Sequence, residues 1–333
     1  MRIAVDAMGG DKAPGEIVRG AVAALKQGEV ELLLVGIPEK IEKELAPFGN
    51  TVKGRIEIVP ATDVIGMNES PARALRQKKE ASVLLAARLV KEGRAQAFVS
   101  AGNTGATMGA ALFQLGRIKG IKRPAIASPL PTTRGMSLLI DAGANADASP
   151  LYLSQFAQMG AIYLEDVWGI ANPKVGLLNI ASEPKKGNEL SRKAYTILEK
   201  LPLNFHGNVE GREIAAGAVD VVVCDGFVGN IVLKLIEGLA QAFTVRLKGE
   251  LKMGLRNRLG ASLALPAFRR FRRSLDYQEY GGAPLLGVKG ICIICHGSSN
   301  ARAIENAIGA AAGAIKGNIV AKIAENIREI GGE

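Results

Sequence analysis

Six segments of this 333-residue sequence combine glycine with small polar residues in a way that could hold an anion. They are Asp6–Asp11 (DAMGGD), Ser100–Thr107 (SAGNTGAT), Ile140–Asn145 (IDAGAN), Asn179–Glu189 (NIASEPKKGNE), Cys224–Asn230 (CDGFVGN) and His296–Asn300 (HGSSN). Glycine lets backbone N–H groups approach a ligand, and the N-terminus of a following helix favours negative charge. Together the six are expected to form one shared anion-binding rim. Asp6, Asp11, Asp141 and Asp225 lie in the same segments. Carboxylates so placed either bind a divalent cation or fix loops by accepting backbone N–H bonds, and the second role suits an anion site. His296 ends an apolar run, where it could move a proton or simply cap the strand. Neither His296 nor His206 belongs to a Ser-His-Asp or Cys-His motif. Cys292 and Cys295 form a C-x-x-C pair inside GICIICH. In a strand, residues three apart face opposite sides, and no second pair completes a zinc site, so both are expected to be core thiols.

The elements that must carry these segments follow from periodicity. Short β-branched runs are expected as strands over Arg2–Asp6, Glu31–Val35, Arg55–Pro60, Ala95–Ser100, Ala125–Leu130, Ser137–Asp141, Val175–Ile180, Val219–Cys224 and Gly290–Cys295. Several are apolar throughout, as in strands buried on both faces of a parallel sheet. Between them, alanine- and leucine-rich stretches predict helices over Gly15–Gln27, Ser70–Glu92, Thr104–Leu115, Ser149–Asp166, Glu189–Lys200 and Ser298–Ile315. The alternation predicts a three-layer α/β/α fold with a mainly parallel sheet. In open α/β sheets, ligands bind beyond the carboxyl ends of the strands, where the six segments fall. The first glycine turn lacks the G-x-G-x-x-G spacing, no acid ends ELLLVG, and no G-x-x-x-x-G-K-[ST] occurs, which disfavours a dinucleotide or P-loop site.

Composition narrows the class. Hydrophobic residues make up 48 % of the chain, and three cysteines fit a reducing compartment rather than a disulfide scaffold. The N-terminus does not read as a signal peptide, and no uninterrupted apolar run reaches about 18 residues. The formal net charge is +10, from 42 Lys+Arg against 32 Asp+Glu. Most of it is local. Arg246–Ser274 holds nine basic residues and one acid, Glu250, leaving the other residues near neutral. A helical excursion is expected over about 238–277, as two helices joined by an apolar loop, 259–268, with arginines on both sides. Basic residues flanking exposed apolar ones suit an anionic surface, either a membrane or an acidic partner. Few aromatics interleave the basic residues, so nucleic acid is not expected as a partner.

The ordered motifs VDAMGGDKAP, SAGNTGA, DAGAN, GLLNIASEPKKGNE, GNVEGREI, DVVVCDGFVGNIVLK and YGGAPLLGVKG with HGSS span residues 5–299. On these the chain resembles the bacterial phosphate acyltransferases of phospholipid synthesis, the PlsX family; Ala181 departs from the family's usual pattern. The resemblance implies one α/β domain over 1–333 with a Rossmann-like fold related to isopropylmalate dehydrogenases. It also implies transfer of a fatty acyl group from acyl carrier protein to inorganic phosphate, with no metal and no other cofactor. A homodimer peripherally attached to the cytoplasmic face of the membrane completes the expectation.

That chemistry needs no protein nucleophile, because phosphate is one, and a thiolate leaves readily. The protein must align phosphate with the thioester and stabilise an oxyanion. Lys186 is the leading candidate to hold phosphate or the oxyanion, with Lys185 in reserve. Asn230 is a candidate oxyanion donor, or else a helix cap. His296 is a candidate for proton handling. Asp6, Gly9, Gly10, Asp11, Asn103 and Thr104 are candidates to shape or line the phosphate site. Arg256, Arg258, Leu263, Leu265, Phe268, Arg269, Arg270, Arg272 and Arg273 are candidates for docking on membrane or acyl carrier protein. Three competing readings remain: a phosphotransacetylase-like enzyme using coenzyme A thioesters, a metal- and NAD-dependent decarboxylating dehydrogenase, and a membrane-surface scaffold.

Overall fold

The computed structural model describes residues 1–26, 30–275 and 281–327. Among them eleven strands form one sheet: β1 (Arg2–Asp6), β2 (Glu31–Gly36), β3 (Ile56–Pro60), β4 (Ala97–Ser100), β5 (Ala125–Thr132), β6 (Gly135–Ile140), β7 (Lys174–Leu178), β8 (Asn204–Val209), β9 (Val221–Val223), β10 (Ala283–Leu286) and β11 (Ile291–Ile294). The α-helices are α1 (Gly15–Leu25), α2 (Pro38–Leu45), α3 (Pro71–Gln77), α4 (Ser82–Lys91), α5 (Thr104–Gln114), α6 (Pro150–Tyr163), α7 (Glu189–Leu198), α8 (Gly211–Ala216), α9 (Gly226–Lys252), α10 (Gly254–Leu275), α11 (Ala301–Lys316) and α12 (Ile319–Asn326).

Alternation along the strands builds two core layers. Ile3 and Val5 pack on one side with Ile17, Phe156 and Ile304, whereas Ala4 and Phe98 pack on the other with Leu84, Leu89 and Ala110. Cys292 joins the second layer and Cys295 the first, as their spacing on a strand requires. On the first side α1 and α11 approach closely. A Cβ on Gly20 would lie 2.6 Å from that of Ile304, so only glycine fits this crossing.

The sheet order is β3-β2-β1-β4-β11-β10-β5-β6-β9-β7-β8. Most neighbouring pairs are parallel, but β11/β10, β10/β5 and β5/β6 are antiparallel. This reversal corrects the single rim. The strands β3, β2, β1, β4 and β11 run one way, and β6, β9, β7 and β8 run the other. Register shows the consequence: Ile140, at the end of β6, lies opposite Ala127, near the start of β5. The loops after β1, β4 and β11 therefore leave one edge of the sheet, and those after β6, β9 and β7 leave the opposite edge.

Three other expectations change. The helix expected over Ser70–Glu92 is two, α3 and α4. Lys78 leaves helical geometry between them, and its Nζ donates to Glu69 Oε1 (2.6 Å) and Val64 O (2.7 Å). His206 lies in the outermost strand β8, not in a loop. The apolar stretch 259–268 is helical rather than a loop; the turn of the excursion falls at Met253–Gly254, where Gly254 takes φ +78°. A left-handed backbone suits glycine, and that fixes the corner five residues earlier than composition suggested.

The helix α9 has 27 residues and a length of about 40 Å. By length and composition it could cross a membrane. Its first half is packed instead on the second core layer through Val232, Leu233 and Ile236.

Candidate active site

At the first edge the loop after β1 is held from inside. Asp6 is buried, and it accepts from Ser100 Oγ (2.7 Å) and from the Met8 N–H (3.2 Å). Burial raises its carboxyl above the usual carboxylate range, while bonds from Ser82, Ser100 and the loop N–H groups pull it back. Asp6 thus fixes the loops and does not line the surface. A Cβ on Gly9 would lie 2.7 Å from the Gly102 nitrogen, so two loops touch there. Gly10 takes φ +108°, a conformation that favours glycine. Asp11 is exposed, and its N–H bonds Gly297 O at 2.8 Å, tying β1's loop to that of β11.

Asn103 is occupied as the cap of α5. Its Oδ1 accepts from the Ala106 N–H (3.0 Å), and its Nδ2 donates to Met67 O (2.8 Å). Thr104 is exposed at the first turn. The N-terminus of α11 is served by Asn300 and by Glu16, whose Oε2 accepts from the Ala301 N–H at 2.6 Å. Exposed His296 pairs its Nδ1 with Ser298 Oγ at 2.8 Å. Lys12, which the sequence reasoning missed, donates from Nζ to Ser298 O (3.1 Å). Its signal was a cation two residues after the glycine pair in VDAMGGDKAP.

At the opposite edge Asp141 organises the loop 141–145. Its carboxylate accepts from the N–H groups of Ile126 (3.0 Å), Gly143 (3.2 Å), Ala144 (2.9 Å) and Asn145 (2.7 Å), and from Asn145 Nδ2 (2.9 Å). Burial raises this carboxyl too, against the pull of those donors. The loop seats the start of α9. The Gly226 N–H bonds Asn145 O at 2.8 Å, and a Cβ on Gly229 would collide with Asp141 O. Asp225 caps α9 through Val228 N–H (2.8 Å), so Asn230 is not the cap. Asn230 is exposed in the next turn, against Gly143.

Lys185 and Lys186 stand exposed in the loop after β7, on this same edge. The loop is tied through its backbone: Asn179 Nδ2 donates to Lys186 O (3.1 Å) and Asn208 Nδ2 to Glu183 O (2.8 Å). Asn208 was also missed; it lies in GNVEGREI. Its Oδ1 is the one buried side-chain N or O atom without a hydrogen-bond partner among the described residues. The structure therefore brings Asn230 and the two lysines to one edge, and His296 with the glycine loops to the other.

The helix α9 links the edges. Beyond Asn230 its Leu233, Ile236, Ala240 and Thr244 face Pro129–Pro131, His296 and Ser298 across a cavity of about 540 Å³. Its other side exposes Phe227, Ile231, Leu235, Leu239 and Phe243 at four-residue spacing. In the excursion Leu263 is 86 % exposed, Leu265 is exposed, Phe268 is half-buried and Arg270 is exposed. The side chains of Arg256, Arg258, Arg269, Arg272 and Arg273 lie outside the described residues.

An open α/β sheet whose strand-end loops meet an apolar cavity beside a cation and an imidazole is the frame of an enzyme acting on an anionic, partly apolar substrate. The chain belongs to the fatty acid synthesis protein family, whose model matches residues 1–322. A phosphate acyltransferase of Heliobacterium modesticaldum is 58 % identical over 327 residues, covering 98 % of each chain. That of Moorella thermoacetica is 56 % identical over 325 residues, covering 98 % of this chain and 95 % of its own. Among solved structures, a phosphotransacetylase from Streptococcus pyogenes superposes with a TM-score of 0.64 at 19 % identity, over 95 % of this chain and 94 % of that one. At that identity the likeness is one of fold.

Proposed function

We propose that this protein is an acyltransferase that moves a fatty acyl group from the thioester of acyl carrier protein to inorganic phosphate. A phosphate oxygen attacks the thioester carbonyl carbon, and the carbon–sulfur bond breaks. The thiolate takes the proton released by phosphate, giving acyl phosphate and free carrier thiol. The observation that carries the reading is the junction at Ser298. There the Lys12 ammonium and His296 meet the mouth of the apolar cavity lined by α9. The Lys12 cation suits phosphate, and the cavity suits a hydrocarbon chain. The phosphate acyltransferase relatives support the same chemistry.

In this reading Lys186 holds phosphate or the oxyanion, and Asn230 donates to the oxyanion. Both leave the sheet at the edge opposite His296, so their joining it calls for a second copy of the chain. The exposed apolar stripe of α9 supports such a homodimer. The basic excursion, with exposed Leu263 and Leu265, supports peripheral attachment to an anionic membrane at its cytoplasmic face. Acyl carrier protein, being acidic, would also meet this charge.

The test is phosphate-dependent loss of the acyl group from purified acyl carrier protein thioester, with acyl phosphate trapped by hydroxylamine. No phosphate dependence would refute the function. Lys186→Ala within threefold of the parent would refute the role of Lys186 alone. The phosphotransacetylase fold favours one second reading, a coenzyme A thioester as donor; comparing turnover with the two donors decides between them.

A further inference from the structure

We propose that Ala240 and Thr244 of α9 set the length of acyl chain that the enzyme accepts. The inference rests on the acyl-transfer reading and assigns the cavity beside Ser298 to the hydrocarbon tail. One wall is Leu233, Ile236, Ala240 and Thr244, and the other is Pro129–Pro131. Two polar groups of the helical wall are engaged within α9 itself. Glu237 pairs with Lys234 at 3.1 Å, and Thr244 Oγ1 donates to Ala240 O at 2.7 Å. Gln241 also lines this wall; the surface that Leu233, Ile236, Ala240 and Val245 turn towards the cavity is apolar, and Lys248 marks its far end.

From Leu233 to Thr244 the helical wall runs about 16 Å at 1.5 Å per residue. An extended alkyl chain covers that length with about a dozen carbons, at roughly 1.3 Å advance per bond. The cavity and the exposed stripe of Phe227, Ile231, Leu235, Leu239 and Phe243 lie on opposite sides of α9. A second copy of the chain can therefore cover the stripe and leave the cavity to the acyl tail. Ala240 is the smallest apolar side chain on the helical wall, with Ile236 one turn before it and Thr244 one turn after. A large side chain at 240 would divide the cavity and leave room only for a short tail.

The experiment compares phosphate-dependent turnover of eight-carbon and sixteen-carbon acyl carrier protein thioesters by the full chain. The variants are Ala240→Phe and the milder Ala240→Val, with Thr244→Leu as a second position. Ala240→Phe should lower the sixteen- to eight-carbon ratio of kcat/KM at least tenfold, Ala240→Val by less, and Thr244→Leu in the same direction. A ratio within twofold of the parent in all three variants overturns the proposal, as does proportionate loss on both chain lengths. A changed sedimentation mass of Ala240→Phe also overturns it, because the cavity would then be a subunit interface. Failure of the parent itself to form acyl phosphate from either thioester would instead refute the acyl-transfer reading.

Discussion

The start of α9 is seated on the loop 141–145 through glycine, and Gly226→Ala tests whether this joint sets the position of Asn230. A Cβ at 226 would lie 2.6 Å from Asn145 O and 2.8 Å from both Asn145 N and Asp141 Oδ2, where ordinary contact begins near 3.4 Å. Each atom must yield by roughly 0.6–0.8 Å, within the range where overpacking costs about 1–3 kcal/mol. None yields easily. Two are backbone atoms, and the third accepts from Asn145 N–H and Nδ2. The strain must therefore push α9 and the loop apart and carry Asn230 off Gly143. Displacements approaching 1 Å at a reacting centre can cost up to ~10²-fold in rate. Gly226→Ala is expected to lower kcat/KM for phosphate-dependent acyl transfer about tenfold or more and to lower Tm by a few degrees. Gly238→Ala is the control. It lies in the same helix with nothing within 4 Å of its Cβ position, and alanine should gain about 0.5–1 kcal/mol there. A Gly226→Ala enzyme with parental Tm would refute the close joint. A lowered Tm with activity within twofold would leave the joint structural and remove Asn230 from catalysis.

Further outcomes follow from the same geometry. Asn208→Ala removes the tether to Glu183 O, a bond worth about 1 kcal/mol, and should raise the KM for phosphate roughly fivefold with little change in Tm; an unchanged KM would separate the lysine loop from phosphate. Burial pushes the Cys295 thiol up to about 12, and those of Cys224 and Cys292 well above 9.0. Their raised values contribute stability in full below pH 9.0. That contribution is lost as pH rises from there towards the folded values, by up to about 1.4 kcal/mol per pH unit per thiol. Cys295→Ala should therefore show a shallower fall of Tm between pH 9 and 11 than the parent, and an equal slope would contradict the burial. Leu263→Asp with Leu265→Asp should weaken flotation with anionic liposomes; unchanged flotation would assign the helix α10 to a protein partner.

Much of the layer order could be read from periodicity, because strands such as VDVVVC are buried on both faces and leave little choice of environment. The placement of Cys292 and Cys295 in opposite layers followed from the period of a strand alone. The strands β8 and β10 did not stand out. NFHGNV lies at the sheet's outer edge, where little apolar surface is demanded, and APLL carries a proline that discourages a strand assignment. The turn at Gly254 was likewise hidden, since apolar residues beside arginine look alike in a loop and in an exposed helix.

The candidate site shows a deeper limit. Each strand-end segment was recognisable by itself, and within a wholly parallel sheet all six would share one edge. Whether they do depends on the pairing of β5 and β10 between the two parallel halves, a long-range choice that local pattern does not record. Once that choice reverses the direction of β6, β9 and β7, Lys186 and Asn230 part from His296, whatever their side chains could do together. What spans the gap is α9, which begins beside Asn230, carries the cavity wall past His296 and turns an apolar stripe outward. A helix that had to bury only its own core face would not need that stripe. Its length and two-sided apolar character are understandable if it serves both an acyl tail and a second chain, so its variants should separate chain-length effects from assembly effects.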